Sequence, residues 1–339
     1  MSQPVPPRRP WQPPHLRDVA QRAGVSIPTA SRALSTNHHS PREDASSSPT
    51  HRAVQEAARE LGYLKGRRNE PARPHVAILT SDISRSGYWM TLAGALDTAR
   101  DLDANLTIHL VPGAVASRAD TIAQLLTEKL DGVVVMEFDT PCNTLIHELP
   151  VDLPLAIAGG QPDGETEQYP RAWTDDRRGA QQATDYLLDL GHHHVDYIGV
   201  PPANYPDPRA QGWRDALAAR GLNRPEPLGV GWSVTTGRRL ARIVAERRTT
   251  AVLCGNDDLA AGVVAELTAL GISVPGKVSI IGFDDHPYAS AMTPALSTVR
   301  LRFSQIGAAA TRLALGLDTE SVEIPADLIL RGSTAPPNS

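Results

Sequence analysis

Residues Leu16 to Leu34 leave few choices of local structure. Leu16, Val19, Ala20 and Ala23 recur at three- and four-residue spacing and lay a narrow apolar stripe along a helix. Gly24 follows where that helix must stop, since glycine enters the left-handed region without a Cβ penalty. Val25 then fills the corner. Ser26 has the oxygen that an N-cap needs, and Pro28 falls in a first turn, where a missing N–H costs little. Ala30, Ala33 and Leu34 face back toward the first helix, which leaves Thr29, Ser31 and Arg32 on the outside. Two short helices joined by a Gly-Val-Ser corner make a helix-turn-helix. Its second helix would offer hydroxyls and a guanidinium to a DNA major groove, with its N-terminal end against phosphate. A helical hairpin inside an enzyme has a similar outline. Here, though, stop, corner, cap and outer polar row all agree.

Charge is divided along the chain. Residues 1–75 hold 12 Lys and Arg against 6 Asp and Glu, whereas the remainder holds 21 against 32. A basic head on an acidic body places an anionic partner at the head. Arginine abundance alone does not argue for nucleic acid, because only Lys65, Lys129 and Lys277 are lysines and a GC-rich genome gives the same bias. Cys142 and Cys254 form no CxxC pair, which reads as a reducing compartment without a disulfide framework. No apolar run approaches the roughly 20 residues that span a bilayer. Met1–Pro14 is Pro-rich, carries Arg8 and Arg9 and lacks an apolar h-region, so it reads as a disordered arm. The expected location is cytoplasmic, in association with the nucleoid.

Residues 35–49 are polar and Ser/Pro-rich, a loop, and Thr50 to Leu61 form a third helix with Val54, Ala57, Ala58 and Leu61 inward. Residues 64–75 read as a linker broken by Gly66, Pro71 and Pro74. From Val76 onward short apolar runs alternate with amphipathic helices in two series. Strand, helix, strand at this spacing means right-handed βαβ units and parallel sheets. The expected fold is therefore α/β: a three-helix headpiece over 15–63, the linker, and a core over 76–335 made of two doubly wound lobes. Lobe one takes about 76–171 and 299–322, and lobe two about 172–298 and 323–335.

Open α/β sheets bind ligands beyond the carboxyl ends of their strands. Asp82, Asn256, Asp257, Asp284 and Asp285 fall at such ends, Arg209 opens the helix after the Tyr205-Pro206-Asp207-Pro208 loop, and Trp232 follows a short strand near Gly229. Carboxylates, an amide and a guanidinium around an indole suit a polyhydroxylated ligand. Asn256 and Asp257 also suit an N-cap of the next helix. Tyr88 and Trp89 either line the cleft or staple a helix. His192-His193-His194 lies where a turn belongs, and three consecutive side chains do not share a face, so no metal is expected. No GxGxxG, P-loop, Gly-x-Ser-x-Gly or spaced Cys/His set is present. No catalytic residue and no cofactor is implied.

The run Leu16-Arg17-Asp18-Val19-Ala20-Gln21-Arg22-Ala23-Gly24-Val25-Ser26, the following Ala30-Ser31-Arg32-Ala33-Leu34, and Glu60-Leu61-Gly62-Tyr63 resemble the DNA-binding headpiece of the lactose/galactose repressor (LacI/GalR) family. From about Pro74 to the C-terminus the chain resembles that family's periplasmic-binding-protein-like core. Gly191-His192, Gly212-Trp213, Cys254 to Ala260, Val278 to Asp285 and Leu296 to Arg300 carry the likeness. The resemblance implies a sequence-specific transcriptional regulator, a repressor, acting as a homodimer on double-stranded operator DNA. A small ligand, a sugar first and a purine or nucleoside second, would bind between the lobes, close them and change headpiece spacing. It implies DNA contacts from Ser26, Ile27, Thr29, Ser31 and Arg32, and effector contacts from Arg209, Trp232, Asn256 and Asp284, to which Asp82 is added by its place at a strand end. Pro28, Ala30 and His15 depart from the family pattern, which points to a different operator preference. The linker lacks the family's hinge-helix pattern. A cytoplasmic sugar-binding protein, or a carbohydrate-acting enzyme touching DNA only non-specifically, is the alternative.

Overall fold

The computed structural model describes residues 15–34, 49–61, 73–162 and 166–338. The expected arm over 1–14, most of the Ser/Pro-rich loop, Gly62, Tyr63 and the linker up to Ala72 lie outside the described residues. The chain divides into two units, residues 1–72 and 73–339.

The first unit contains α1 (Leu16–Arg22), α2 (Ile27–Ala33) and α3 (Pro49–Leu61). Val19 and Ala20, Ala30, and Val54, Ala57 and Ala58 bury against one another as its core. Gly24 ends α1 with φ +67°. The Gly24 N–H reaches the Gln21 carbonyl and the Val25 N–H reaches the Ala20 carbonyl, 3.0 Å away, which is a Schellman stop. Ser26 caps α2, its hydroxyl accepting from the Thr29 N–H. The N-cap of α1 is His15, whose N–H donates to the Asp18 carboxylate at 2.6 Å.

The second unit opens with β1 (His75–Thr80), α4 (Ser86–Asp101), β2 (Asn105–Leu110), α5 (Val115–Leu125), β3 (Gly132–Glu137), α6 (Thr140–Glu148), β4 (Leu155–Gly159) and β5 (Arg171–Thr174). There follow α7 (Asp176–Asp189), β6 (Asp196–Gly199), α8 (Pro208–Ala219), β7 (Gly229–Val230), α9 (Val234–Arg247), β8 (Ala251–Cys254), α10 (Asp257–Ala269), β9 (Ser279–Asp284) and β10 (Ser297–Arg300). It closes with α11 (Phe303–Ala314), β11 (Val322–Ile324) and β12 (Asp327–Ile329). One sheet has the order β11-β5-β4-β3-β1-β2, all parallel; the other has the order β12-β10-β9-β8-β6-β7, parallel except for β12.

Each sheet is covered on both faces, which is why its central strands read as unbroken apolar runs. In β1, Val76 and Ile78 pack toward α4 and α11, while Ala77 and Leu79 pack toward α5 and α6. In the second lobe Tyr197, Leu253 and Ile281 face α7 and α8, and Ile198, Val252 and Ile280 face α9 and α10. Helices α4 and α11 approach so closely that a Cβ on Gly94 would stand 1.9 Å from the Ser304 carbonyl oxygen, and one on Gly307 1.9 Å from that of Thr91.

Two strands do not stand out in the sequence. β5 carries lobe one's sheet to Thr174, beyond the expected change of lobe at about residue 171. β10, at Ser297–Arg300, belongs to lobe two and overruns the expected return to lobe one at 299. β11 pairs with β5 and ends lobe one's sheet at Ile324, past the expected 322. The physical reason is composition. β5 contains Arg171 and Thr174 and β11 contains Glu323, so neither shows the apolar run of a covered strand. The lobes touch at Asn204, whose side-chain amide donates to Asn143 Oδ1 at 2.7 Å.

Candidate functional site

In the helix-turn-helix unit Arg32 is exposed, and its Nε lies 3.4 Å from the Pro28 carbonyl oxygen. Ile27 is 46% exposed. Thr29 and Ser31, both expected on the outside, are half-buried. The Thr29 hydroxyl lies 2.8 Å from that of Ser26. Arg22 of α1 pairs with Glu60 of α3 at 2.8 Å on the surface.

The second unit holds a cavity of about 850 Å³, open solvent at its mouth included, between its two sheets. Its walls come from both lobes, at the carboxyl ends of the strands. Lobe one contributes Arg85 to Tyr88 at the start of α4, Glu137 and Phe138 at the end of β3, and Gly159 to Gln161 at the end of β4. Lobe two contributes Asp176, the loop Val200 to Arg209, Trp232, Asn256 and Asp284.

Arg209 is the buried cation of this cleft. Its Nε donates to Asp176 Oδ2 at 2.9 Å, one Nη donates to the Gly255 carbonyl, and the guanidinium lies over the Phe283 ring. The other Nη lies 3.6 Å from Asp284 Oδ1. Asp284, at the end of β9 with φ +102°, accepts from the Ser86 hydroxyl at 3.0 Å across the cleft. Its Oδ1 is buried and has no hydrogen-bond partner. Burial pushes this carboxyl up to about 7, against the pull of Arg209 and Ser86. Asp285 turns away to Arg300 and Arg331, both at 2.7 Å. Burial also raises Asp207, which accepts from the Tyr197 hydroxyl at 2.8 Å. In lobe one's wall, Glu137 is fully buried, paired with Arg171 Nη1 at 2.8 Å and accepting from the Asn143 amide at 2.6 Å.

Of the residues singled out in the sequence, Arg209, Trp232, Asn256 and Asp284 share this cavity. Asp82 does not line it. Its carboxylate is taken by the Ser84 N–H and hydroxyl and by Arg85 Nε at 3.2 Å, so a short turn consumes the group that a strand end was expected to offer. Arg85 lines the wall instead. Asn256 is the N-cap of α10, accepting from the Leu259 N–H at 2.8 Å, while its amide donates to the Trp232 carbonyl. The alternative role of Asp257 as a cap is thereby corrected. It is buried, accepting from Thr298 Oγ1 and the His286 N–H, both at 2.7 Å. Tyr88 lines the wall and donates to Asp139, whereas Trp89 is exposed and sets its ring edge toward His286. His192 is enclosed by Thr250, Ser279 and the Ala335 carbonyl. Sequence reasoning passed over Arg85, Ser86 and Glu137. Glu137 carried a usable signal, since it ends β3, one residue beyond the apolar run.

Residues 15–65 match the model of the bacterial regulatory proteins, lacI family, and residues 184–334 match the periplasmic binding protein-like domain. Relatives align along nearly the whole chain. The probable HTH-type transcriptional repressor ExuR of Bacillus subtilis is 26% identical over 332 residues, 94% of this chain and 95% of its own. The chain thus carries a lacI-family DNA-binding domain followed by a periplasmic binding protein-like domain. The HTH-type transcriptional regulator GalS of Salmonella typhimurium is 29% identical over 318 residues, 88% of each chain. A crystal structure of the Lac repressor bound to ONPG in the repressed state superposes with a TM-score of 0.73 at 22% identity, over 95% of this chain and all of that one, which shows the shared fold. The transcriptional regulator CelR–cellobiose complex gives a TM-score of 0.66 at 25% identity, over 94% and 99% of the two chains. These relatives are transcriptional regulators rather than enzymes. Among the described residues no helix is long and apolar enough to cross a membrane.

Proposed function

We propose that this chain is a cytoplasmic repressor of the lacI family, without enzymatic activity, whose operator affinity is set by a sugar bound between the two lobes. The observation that carries the ligand half is Asp284. A buried carboxyl in the wall of this cavity with one oxygen unpartnered wants a donor, and a sugar hydroxyl supplies one. Trp232 offers an aromatic plate in the same wall, with Arg209 and Asn256 beside them. The DNA half rests on α2. Ser26, Ile27, Thr29, Ser31 and Arg32 meet the operator, Arg32 reading base edges or phosphate from an exposed position and Ser26 meeting phosphate.

Two copies place two such helices on a pseudopalindrome. Leu96 on α4 and Ile108 and Leu110 on the edge strand β2 are exposed apolar residues of lobe one, a face suited to the second copy. The ligand acts by population shift. It favours one arrangement of the lobes, and the operator favours one as well, so each biases the other's affinity.

The test is titration of the purified chain onto DNA from upstream of its own gene, at near-physiological salt, against random competitor, followed by a sugar panel. Saturable binding that survives competitor and shifts with one sugar is expected. Binding that disappears with salt or competitor would reduce the DNA half to non-specific phosphate contact.

A further inference from the structure

We propose that the ligand of the inter-lobe cleft is an anionic sugar, bearing a carboxylate or a phosphate, and that Arg85 at the start of α4 holds its charged group. The inference rests on the sugar-binding function proposed above and deepens it.

The charged groups of the cleft wall have partners within the protein, Arg85 among them, but Arg85 uses only its Nε for its partner. Arg171 neutralises Glu137 at 2.8 Å, and Arg209 neutralises Asp176 at 2.9 Å. Asp207 is held by the Tyr197 hydroxyl and the Arg209 N–H. Arg85 is different. Its guanidinium lies 4.7 Å from the centre of the Trp232 ring and 5.8 Å from that of Tyr88, so it sits in the cavity on the aromatic plate. Its one carboxylate, Asp82, approaches Nε at 3.2 Å and lies outside the cavity wall. Among the described residues neither Nη atom has an acceptor. An arginine presents its donors as a planar fork, which fits a carboxylate or a phosphate through two hydrogen bonds.

The neighbours add to this. Arg85 is the N-cap of α4, a sixteen-residue helix, and supplies no side-chain cap. Tyr88 N–H and Trp89 N–H turn back to the Arg85 carbonyl, so the positive end of the helix opens at Ser86 and Gly87, both in the cavity wall. Asp284 Oδ1, buried and unpartnered, faces the same cavity and takes a donor. A cationic fork and a lone acceptor in one cavity ask for a ligand with both an anion and hydroxyls. A neutral sugar would satisfy Asp284 and leave the fork empty.

The experiment is isothermal titration of the full chain with two matched sets: glucose, glucuronate and glucose 6-phosphate; and galactose, galacturonate and galactose 6-phosphate. A charged member is expected to bind at least tenfold more tightly than its neutral parent, and the carboxylate and phosphate arms separate the two sources of charge. Arg85→Gln is expected to bring that ratio close to one, while Arg85→Lys, which keeps the charge without the fork, retains part of it. Added salt is expected to weaken the charged member and not the neutral one. A neutral parent that binds as tightly as its charged partners overturns the inference, and so does a ratio unchanged in Arg85→Gln. A neutral sugar that shifts operator affinity and binds at least as tightly as its charged partners would sink the inference alone. No binding by any member overturns the sugar reading, and this inference with it.

Discussion

Replacing Asp284 with Asn should change how stability depends on pH, and the size follows from the site. In the folded chain the carboxyl titrates at about 7, against 3.8 for the unperturbed group. Its folded pKa is raised, so between those values the folded state holds a proton that the unfolded state has released. Stability is then full below about 4 and falls as pH rises toward 7. Roughly three units at 1.36 kcal/mol each set an upper bound of about 4 kcal/mol on the loss. The amide of the variant has no proton to lose, and every other titrating group is shared by the two proteins. Urea or thermal unfolding of both, from pH 4 to 8 at fixed ionic strength, isolates the term. The stability of Asp284→Asn relative to the parent should rise across this range and level off above pH 7. At roughly 2–4 °C per kcal/mol for a unit this size, several degrees are at stake. A relative stability of Asp284→Asn that stays constant or falls as pH rises would refute the reasoning, because the carboxyl would then be ionised throughout.

Further outcomes are expected elsewhere. Arg32→Ala should weaken operator binding by roughly 1–3 kcal/mol without lowering the melting temperature, because the side chain is exposed, as gel shift and calorimetry would register. Arg171→Met strands the fully buried Glu137 and should cost about 3–5 kcal/mol in urea unfolding, whereas the double variant with Glu137→Gln should recover much of that. Gly307→Val drives a side chain into the Thr91 carbonyl and should separate α4 from α11, with a loss of at least about 2 kcal/mol and early loss of lobe-one amide protection in hydrogen exchange. Trp232→Ala should leave operator binding without ligand intact and remove the response to sugar in the gel-shift panel.

Much of the architecture was legible because parallel strands covered on both faces leave a plain mark. Val133 to Met136 and Ile280 to Phe283 are apolar without a break, and the helices between such runs carry a single apolar stripe. β5 and β11 left no such mark, since their polar groups are satisfied by tertiary partners: the Arg171 side chain by Glu137, and the Arg171 N–H by Ser321. The strand-end rule pointed to the crevice, because topology brings those ends together, and the family resemblance singled out Arg209, Trp232, Asn256 and Asp284, which line one cavity there. It failed for Asp82 because a carboxylate just after a strand can be spent on its own turn, and three residues of local geometry decide that. Arg85 and Ser86 were missed for the converse reason. They lie on a helix start, and only the apposition of the second lobe makes them part of a wall.

Lobe one is not contiguous in the chain. Its helix α4 ends at Asp101, but α11, against which α4 packs through Gly94 and Gly307, is complete only at Ala314. During synthesis, at roughly 5–20 residues per second, the apolar side of α4 therefore waits on the order of 10–40 s for its cover. Lobe two, running from α7 through β10 without interruption, can close most of its sheet in that interval; only β12 comes later. The order of assembly is thus the reverse of the order of translation. The lobe that is made first is finished near the end, and its unfilled face is the stretch of this chain that most needs protection as it emerges from the ribosome.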